Sequence, residues 1–338
     1  MGRNEIDTNP NRINKDWLRL IPGLLISLLS LAAIFYLIDF QQLVAALRQA
    51  NVIFLVAGIL ISVLWLAVRA LAWLTLLRNR VPYSPVFWAL NAGYLLNNVL
   101  PFRLGEIGRS FLLSRDTDLD FWEILPTIVI ERALDLGLAV ALLLATIPFV
   151  VGANWAVEAA IFTGALVLAG LVVLYLITRN RQQVLNLIEK IGNRWSLVQK
   201  ISGNRLEAIL NGMEVLTNSR LFIQAVGLIL LNWIIGLFQY WIILHAFFPQ
   251  VHLLWAAFSL GAGAMGVAPP SLPGGVGTFE GAVVGSLSLL GLSEGSAFAF
   301  ALSAHAINYL VTGLLGGYAL LKQGMSLSSL YHRSRQIQ

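Results

Sequence analysis

The sequence predicts an all-α, polytopic integral membrane protein with about six full spans and two re-entrant helical hairpins in an inverted-topology repeat. Three observations predict it: long apolar runs, the sidedness of Lys and Arg, and a Pro/Gly break that occurs twice. Of its 338 residues, 58% are apolar and 12% charged, against about 25% charged in soluble domains. The apolar residues gather in runs at about 20–38, 52–77, 133–151, 156–177, 221–248 and 297–321. Each reaches or approaches the roughly 20 residues a helix needs to cross ~30 Å of hydrocarbon.

The first run follows a polar segment, 1–19, with no small-residue cleavage site after it, so it is expected to stay as the first span. Lys and Arg accumulate on the cytoplasmic side of short loops. Arg3, Arg12, Lys15 and Arg19 precede the first span, Arg78 and Arg80 follow the second, and the stretch 178–220 is strongly basic. The loops near 152–155 and 246–252 carry neither residue. This threading places both termini in the cytoplasm of a cell that holds the chain in its inner (plasma) membrane. It also explains the net charge of +5 without nucleic acid as a partner. The single membrane domain then runs over 20–322, with a first repeat at about 52–151, a second at about 221–321, and a cytoplasmic tail at 323–338.

Two apolar stretches, about 84–120 and 253–291, are left over. Each must return to the side it left, as a re-entrant hairpin or as a pair of short spans, the latter giving eight spans in all. The first leaves from the cytoplasmic side and the second from the outer side. Both carry a Leu-Pro, then Gly, then Glu arrangement: Leu100, Pro101, Gly105 and Glu106 in one, and Leu272, Pro273, Gly274, Gly275, Gly277 and Glu280 in the other. Glu106 and Glu131 are separated by the same interval as Glu280 and His305. Inverted repeats with interrupted helices characterise alternating-access carriers, which bind substrate at the repeat interface. The competing reading is a chance likeness between two Pro/Gly breaks.

Ionisable side chains inside spans cost about 2.5–3.5 kcal/mol or more on insertion scales, so each needs a partner or a wet cavity. They cluster at Arg103, Glu106 and Arg109, and again at Glu131, Arg132 and Asp135, which are expected at the start of the third span. Glu106 with Arg109, and Glu131 with Asp135, share a helix face, and Arg69 in the second span is the expected counter-ion of Glu131 or Asp135. These charges either pin helices together or line a head-group pocket in which Arg103, Arg109 and Arg132 engage a lipid phosphate through planar guanidinium groups. Helix ends at Pro101 would add donors. His305, with Asn308 and Tyr309 beside it, is either a proton-sensitive partner of Glu280 or a satisfied polar contact.

The run Gly261-Ala262-Gly263-Ala264-Met265-Gly266 fits the dinucleotide-binding glycine pattern, but it sits in an apolar membrane segment with no strand before it. Close helix packing through small residues is the expected role. With no cysteine and no metal-ligand spacing among the histidines, no metal and no cofactor is expected. In the central stretch, Val184, Leu187, Ile188, Ile191, Trp195 and Val198 form an apolar helical face expected to lie along the head groups. A second short amphipathic helix around Leu206, Ile209, Leu210 and Met213 is expected to be an interfacial elbow.

The segment Asn97-Asn98-Val99-Leu100-Pro101-Phe102-Arg103-Leu104-Gly105-Glu106, with Arg109 and then Glu131, Arg132 and Asp135, resembles one signature of the lysylphosphatidylglycerol synthase transmembrane family, also described as flippase-like proteins. Leu272 to Glu280 resembles a second, and the likeness runs from about 20 to 322. The resemblance implies a lipid substrate: members include the lipid-flipping half of the multiple peptide resistance factor and relatives linked to hopanoid or polyprenyl-linked sugar lipids. The sequence departs from the family pattern at His305, where an arginine is common. It has no counterpart of the soluble aminoacyl-transferase domain of fused members, so synthesis of lysyl-lipid is not expected. A lipid flippase or carrier, not an enzyme, is therefore the leading expectation. Its alternatives are a membrane-embedded enzyme acting on head groups, with Glu106, Glu131 or Asp135 as base, and a scaffold for lipid or glycan synthesis enzymes.

Overall fold

A computed structural model describes residues 40–100, 103–152, 155–192, 203–268 and 272–322. The expected first span at 20–38, Pro101, Trp195, Val198 and the tail lie outside these residues. Among them the chain forms twelve α-helices and no strand: α1 (Phe40–Gln49), α2 (Val52–Leu76), α3 (Tyr83–Val99), α4 (Leu104–Asp116), α5 (Phe121–Val151), α6 (Trp155–Arg179), α7 (Arg181–Gly192), α8 (Asn204–Met213), α9 (Ser219–Leu244), α10 (Leu253–Val267), α11 (Thr278–Leu289) and α12 (Glu294–Lys322). Five, namely α2, α5, α6, α9 and α12, are long and apolar enough to cross a membrane.

Helix starts follow the polar residues that precede each apolar run. Asn51, Asp120 and Asn218 accept hydrogen bonds from the backbone N–H groups of Ile53, Trp122 and Leu221, which satisfies donors that a helix N-terminus leaves open. Outward faces carry exposed Ile53, Leu60, Phe162, Leu166, Ile223 and Leu314. In water such faces would be a liability; in a bilayer they are the solvent-matched surface.

The same four-element order occurs twice. Helices of 25, 17, 13 and 31 residues (α2 to α5) are matched by helices of 26, 15, 12 and 29 (α9 to α12). The two halves pack reciprocally: α2 lies along α9, α3 packs on α12, and α10 packs on α5. In each half the two middle helices fold back on one another. At 1.5 Å per residue they are about 18–26 Å long, short of the ~30 Å hydrocarbon core.

Small residues set these close crossings. A Cβ at Gly105 would fall 2.0 Å from the carbonyl oxygen of Gly93 on α3 and 2.5 Å from Asn97 Oδ1. In the second pair, a Cβ at Gly266 would fall 2.6 Å from the carbonyl oxygen of Thr278, and one at Gly261 would fall 3.1 Å from the backbone of Leu143 on α5. The glycine run of α10 is thus a packing surface inside a helix. Gly105→Ala is expected to destabilise the protein by about 1–3 kcal/mol through overpacking against backbone. Gly170→Ala, with nothing within 4 Å of the new methyl, should leave stability unchanged or slightly raised; unfolding titrations in micelles compare the two.

Two expectations need correction. The third span begins at Phe121 rather than near 133, so Glu131, Arg132 and Asp135 lie well inside α5 and not at its start. The apolar face of α8 is not interfacial: Leu206, Leu210 and Met213 are buried in the core shared with α2 to α5. Arg78 and Arg80 at the α2–α3 turn pair with Glu123, and Arg78 also pairs with Glu214 after α8, fastening this helix to the end of the bundle.

Candidate functional site

Three helices of the first half and one of the second bring an ion network together. Glu131, 0% exposed, accepts hydrogen bonds at Oε1 from Arg69 Nη2 at 2.6 Å, Arg132 Nη2 at 2.7 Å and Arg109 Nη2 at 3.1 Å. Arg69 also grips Asp135 with both terminal nitrogens, Nη1 reaching Oδ1 at 2.8 Å, and Trp233 Nε1 on α9 donates to the same oxygen at 3.1 Å. Arg109 Nη2 lies 2.7 Å from Glu106 Oε2, and its guanidinium sits 4.6 Å from the centroid of the Trp73 ring. Arg132 completes the set, 3.4 Å from Glu106 and 3.5 Å from Asp135. Three guanidinium groups thus face three carboxylates, which makes the network neutral and tolerable in a low-dielectric interior.

Arg69 is the counter-ion of both Glu131 and Asp135, not of one of them. The shared helix faces read from sequence hold for both pairs. One role does not: Arg109 is 2% exposed and enclosed by its carboxylates and Trp73, so it does not reach a head group as expected. Glu131 and Asp135 likewise lie behind the wall of the site.

In the second half the equally spaced pair meets directly. His305 Nδ1 lies against Glu280 Oε1, and Nε2 lies 3.1 Å from the carbonyl oxygen of Gly274. The other carboxylate oxygen of Glu280 accepts the N–H of Gly277 at 2.7 Å. Tyr309 donates to the Pro273 carbonyl at 3.2 Å. These bonds fix the Pro273–Gly275 turn, where Gly274 has a φ of 69° that favours a residue without Cβ. Glu280 and His305 thus meet directly, whereas Glu106 and Glu131, the same interval apart in sequence, are bridged by Arg109 and Arg132.

The two breaks meet across one cavity of about 350 Å3. Its wall includes Arg103, Glu106, Arg132, Asn97 and Asn98 from the first half, and Pro273, Gly274, Gly275 and His305 from the second. Asn97 Oδ1 accepts the N–H of Gly105 at 2.8 Å, so one of the donors expected from the start of α4 is already engaged. Asn98 Nδ2 donates to Thr312 on α12 at 2.9 Å, tying the first break to the second half.

Arg103 stands apart from the network. It has left-handed backbone, φ 53°, uncommon for a side-chain-bearing residue and often found where function demands a direction. Its guanidinium donates to the carbonyl oxygen of Val267, the last residue of α10, and no carboxylate among the described residues lies within ion-pair distance. Tyr94, Gln239 and Tyr240 also line the cavity and were not singled out from sequence. The signal available was Gln239, an amide within an apolar span.

Fold and site together define a polytopic helical membrane protein with a polar, cationic cavity between two broken helix pairs. Its sequence matches the lysylphosphatidylglycerol synthase TM region family over residues 20–316, and the chain belongs to that family. It is also similar to a UPF0104 membrane protein of Methanothermobacter thermautotrophicus, 21% identical over 323 residues that cover 90% of this chain and 96% of the relative.

Proposed function

We propose that the chain carries an anionic lipid across the cell's inner (plasma) membrane, its phosphate seated on Arg103 and Arg132 while the acyl chains remain against the apolar outer faces. The observation that carries this reading is Arg103: a guanidinium free of carboxylate partners among the described residues, at a cavity built from both halves. A planar guanidinium suits phosphate oxygens in a bidentate way. The neutral network behind it holds Arg132 in place and leaves the wall with a net attraction for anions.

With both termini cytoplasmic, α2 and α9 run in opposite directions and the two folded-back pairs enter from opposite faces as re-entrant hairpins. Arg103 ties the first break to the end of α10, and an arriving phosphate competes with the Val267 carbonyl for that guanidinium. Binding thereby loosens a contact between the halves, which suits rocking of one half against the other. Every carboxylate of the network is held by guanidinium groups, an arrangement for positioning charge more than for abstracting protons.

Alternating exposure of the cavity tests this. Ala304→Cys, a small replacement in the cavity wall of a chain without native cysteine, is expected to react with an impermeant maleimide from either side of sealed vesicles. Reaction from one side alone, in every lipid condition, would sink the carrier reading.

A further inference from the structure

Beside the cavity lies an annex of about 160 Å3 between α2, α3, α9, α10 and α12, with Tyr94, Gln239, Tyr240 and Asn308 lining both spaces. Among the described residues, no charged side chain lines this annex. Its polar groups are hydroxyls and amides, those of Ser62, Gln239, Asn308 and Thr312, set among the rings of Trp65, Tyr94 and Tyr240. The Trp65 and Tyr94 ring centroids are 5.9 Å apart. Gln239 Nε2 donates to Ser62 Oγ and, at 3.3 Å, to the Gly58 carbonyl. Its side-chain carbonyl, the Tyr94 and Tyr240 hydroxyls and the Asn308 amide make no hydrogen bond to any described residue, so they are available to a ligand.

The nearby carboxylates are all committed. Glu106 faces Arg109 and Arg132, Glu131 faces three arginines, Asp135 faces Arg69, Arg132 and Trp233, and Glu280 faces His305 and the Gly277 N–H. An ammonium group brought out of water is held best by a carboxylate, and aromatic faces alone replace only part of its hydration. Here it would find no carboxylate free and would sit beside Arg103 and Arg132. A hydroxyl finds donors and acceptors in amides and phenols, while aromatic faces pack against its carbon skeleton.

We infer that the annex receives the part of the head group beyond the phosphate and selects an uncharged, hydroxyl-rich one, a polyol or sugar, against an ammonium-bearing one. This rests on the carrier reading and adds to it the class of lipid. An aminoacylated head group is disfavoured by the same charges that attract the phosphate.

The test uses the full chain in phosphatidylcholine vesicles containing one probe lipid at a time: phosphatidylglycerol, phosphatidylinositol or lysyl-phosphatidylglycerol. Transbilayer movement is read by head-group accessibility. The two polyol lipids are expected to move about tenfold or more faster than the lysyl lipid, the scale of one unpaired charged contact. Asn308→Asp and Gln239→Glu, each placing a carboxylate in the shared wall, should narrow or reverse that ratio. Equal rates for all three probes, or an unchanged ratio in both folded variants, would overturn the selectivity and leave the carrier standing. Movement of none of the probes by wild type would remove the carrier reading and the inference with it.

Discussion

Glu131→Gln is expected to lower stability by about 3–5 kcal/mol, the range for removing one partner of a buried ion pair. The size follows from geometry: one carboxylate, fully buried, is the common acceptor of Arg69, Arg109 and Arg132. Glutamine keeps the shape and removes the charge, leaving three guanidinium groups against two carboxylates away from water. Asp135→Asn should cost less, because Asp135 is partly exposed and Arg69 keeps Glu131. Adding Arg109→Leu to Glu131→Gln should recover part of the loss, since it removes one uncompensated cation, and the cycle should be non-additive. Unfolding titrations in mixed micelles measure wild type, Glu131→Gln, Arg109→Leu, their double variant and Asp135→Asn, and a Glu131→Gln protein as stable as wild type would contradict the network's role.

Arg103→Gly is expected to separate transport from folding. Glycine adopts the left-handed backbone that costs a side-chain-bearing residue roughly 1–2 kcal/mol, which offsets both the lost bond to the Val267 carbonyl and glycine's greater freedom when unfolded. Stability should therefore stay within about 1 kcal/mol of wild type, while lipid binding falls about tenfold or more through loss of a charge-assisted contact. Native mass spectrometry with a short-chain phosphatidylglycerol reads the binding. Lipid retained at wild-type levels by a folded Arg103→Gly protein would show that the phosphate sits elsewhere.

Much of this arrangement was legible in the sequence. The two folded-back pairs fall at 83–116 and 253–289, close to the stretches that hydropathy left over, because Pro and Gly end helices by local chemistry alone. Each of the equal Glu106 to Glu131 and Glu280 to His305 intervals joins a residue of a folded-back pair to a residue of the long helix that follows it. The start of α5 was missed because Glu123, Glu131, Arg132 and Asp135 dilute its apolar run, although each has a partner of opposite charge outside α5 that a window on one segment cannot see. The enclosure of Arg109 was hidden for a related reason: spacing puts it on a face with Glu106 but does not say that Trp73 closes over that face. Tyr94, Gln239 and Tyr240 carry no charge, so a search for ionisable groups in spans passed over the annex.

Lipid movement itself is the most direct measurement. Purified wild-type protein in sealed vesicles should speed transbilayer movement of a head-labelled anionic phospholipid well above that in protein-free vesicles, with Arg103→Gly vesicles close to the protein-free rate. Wild-type vesicles that move the lipid no faster than empty ones, across anionic head groups, would contradict the assignment of the cavity as a lipid path.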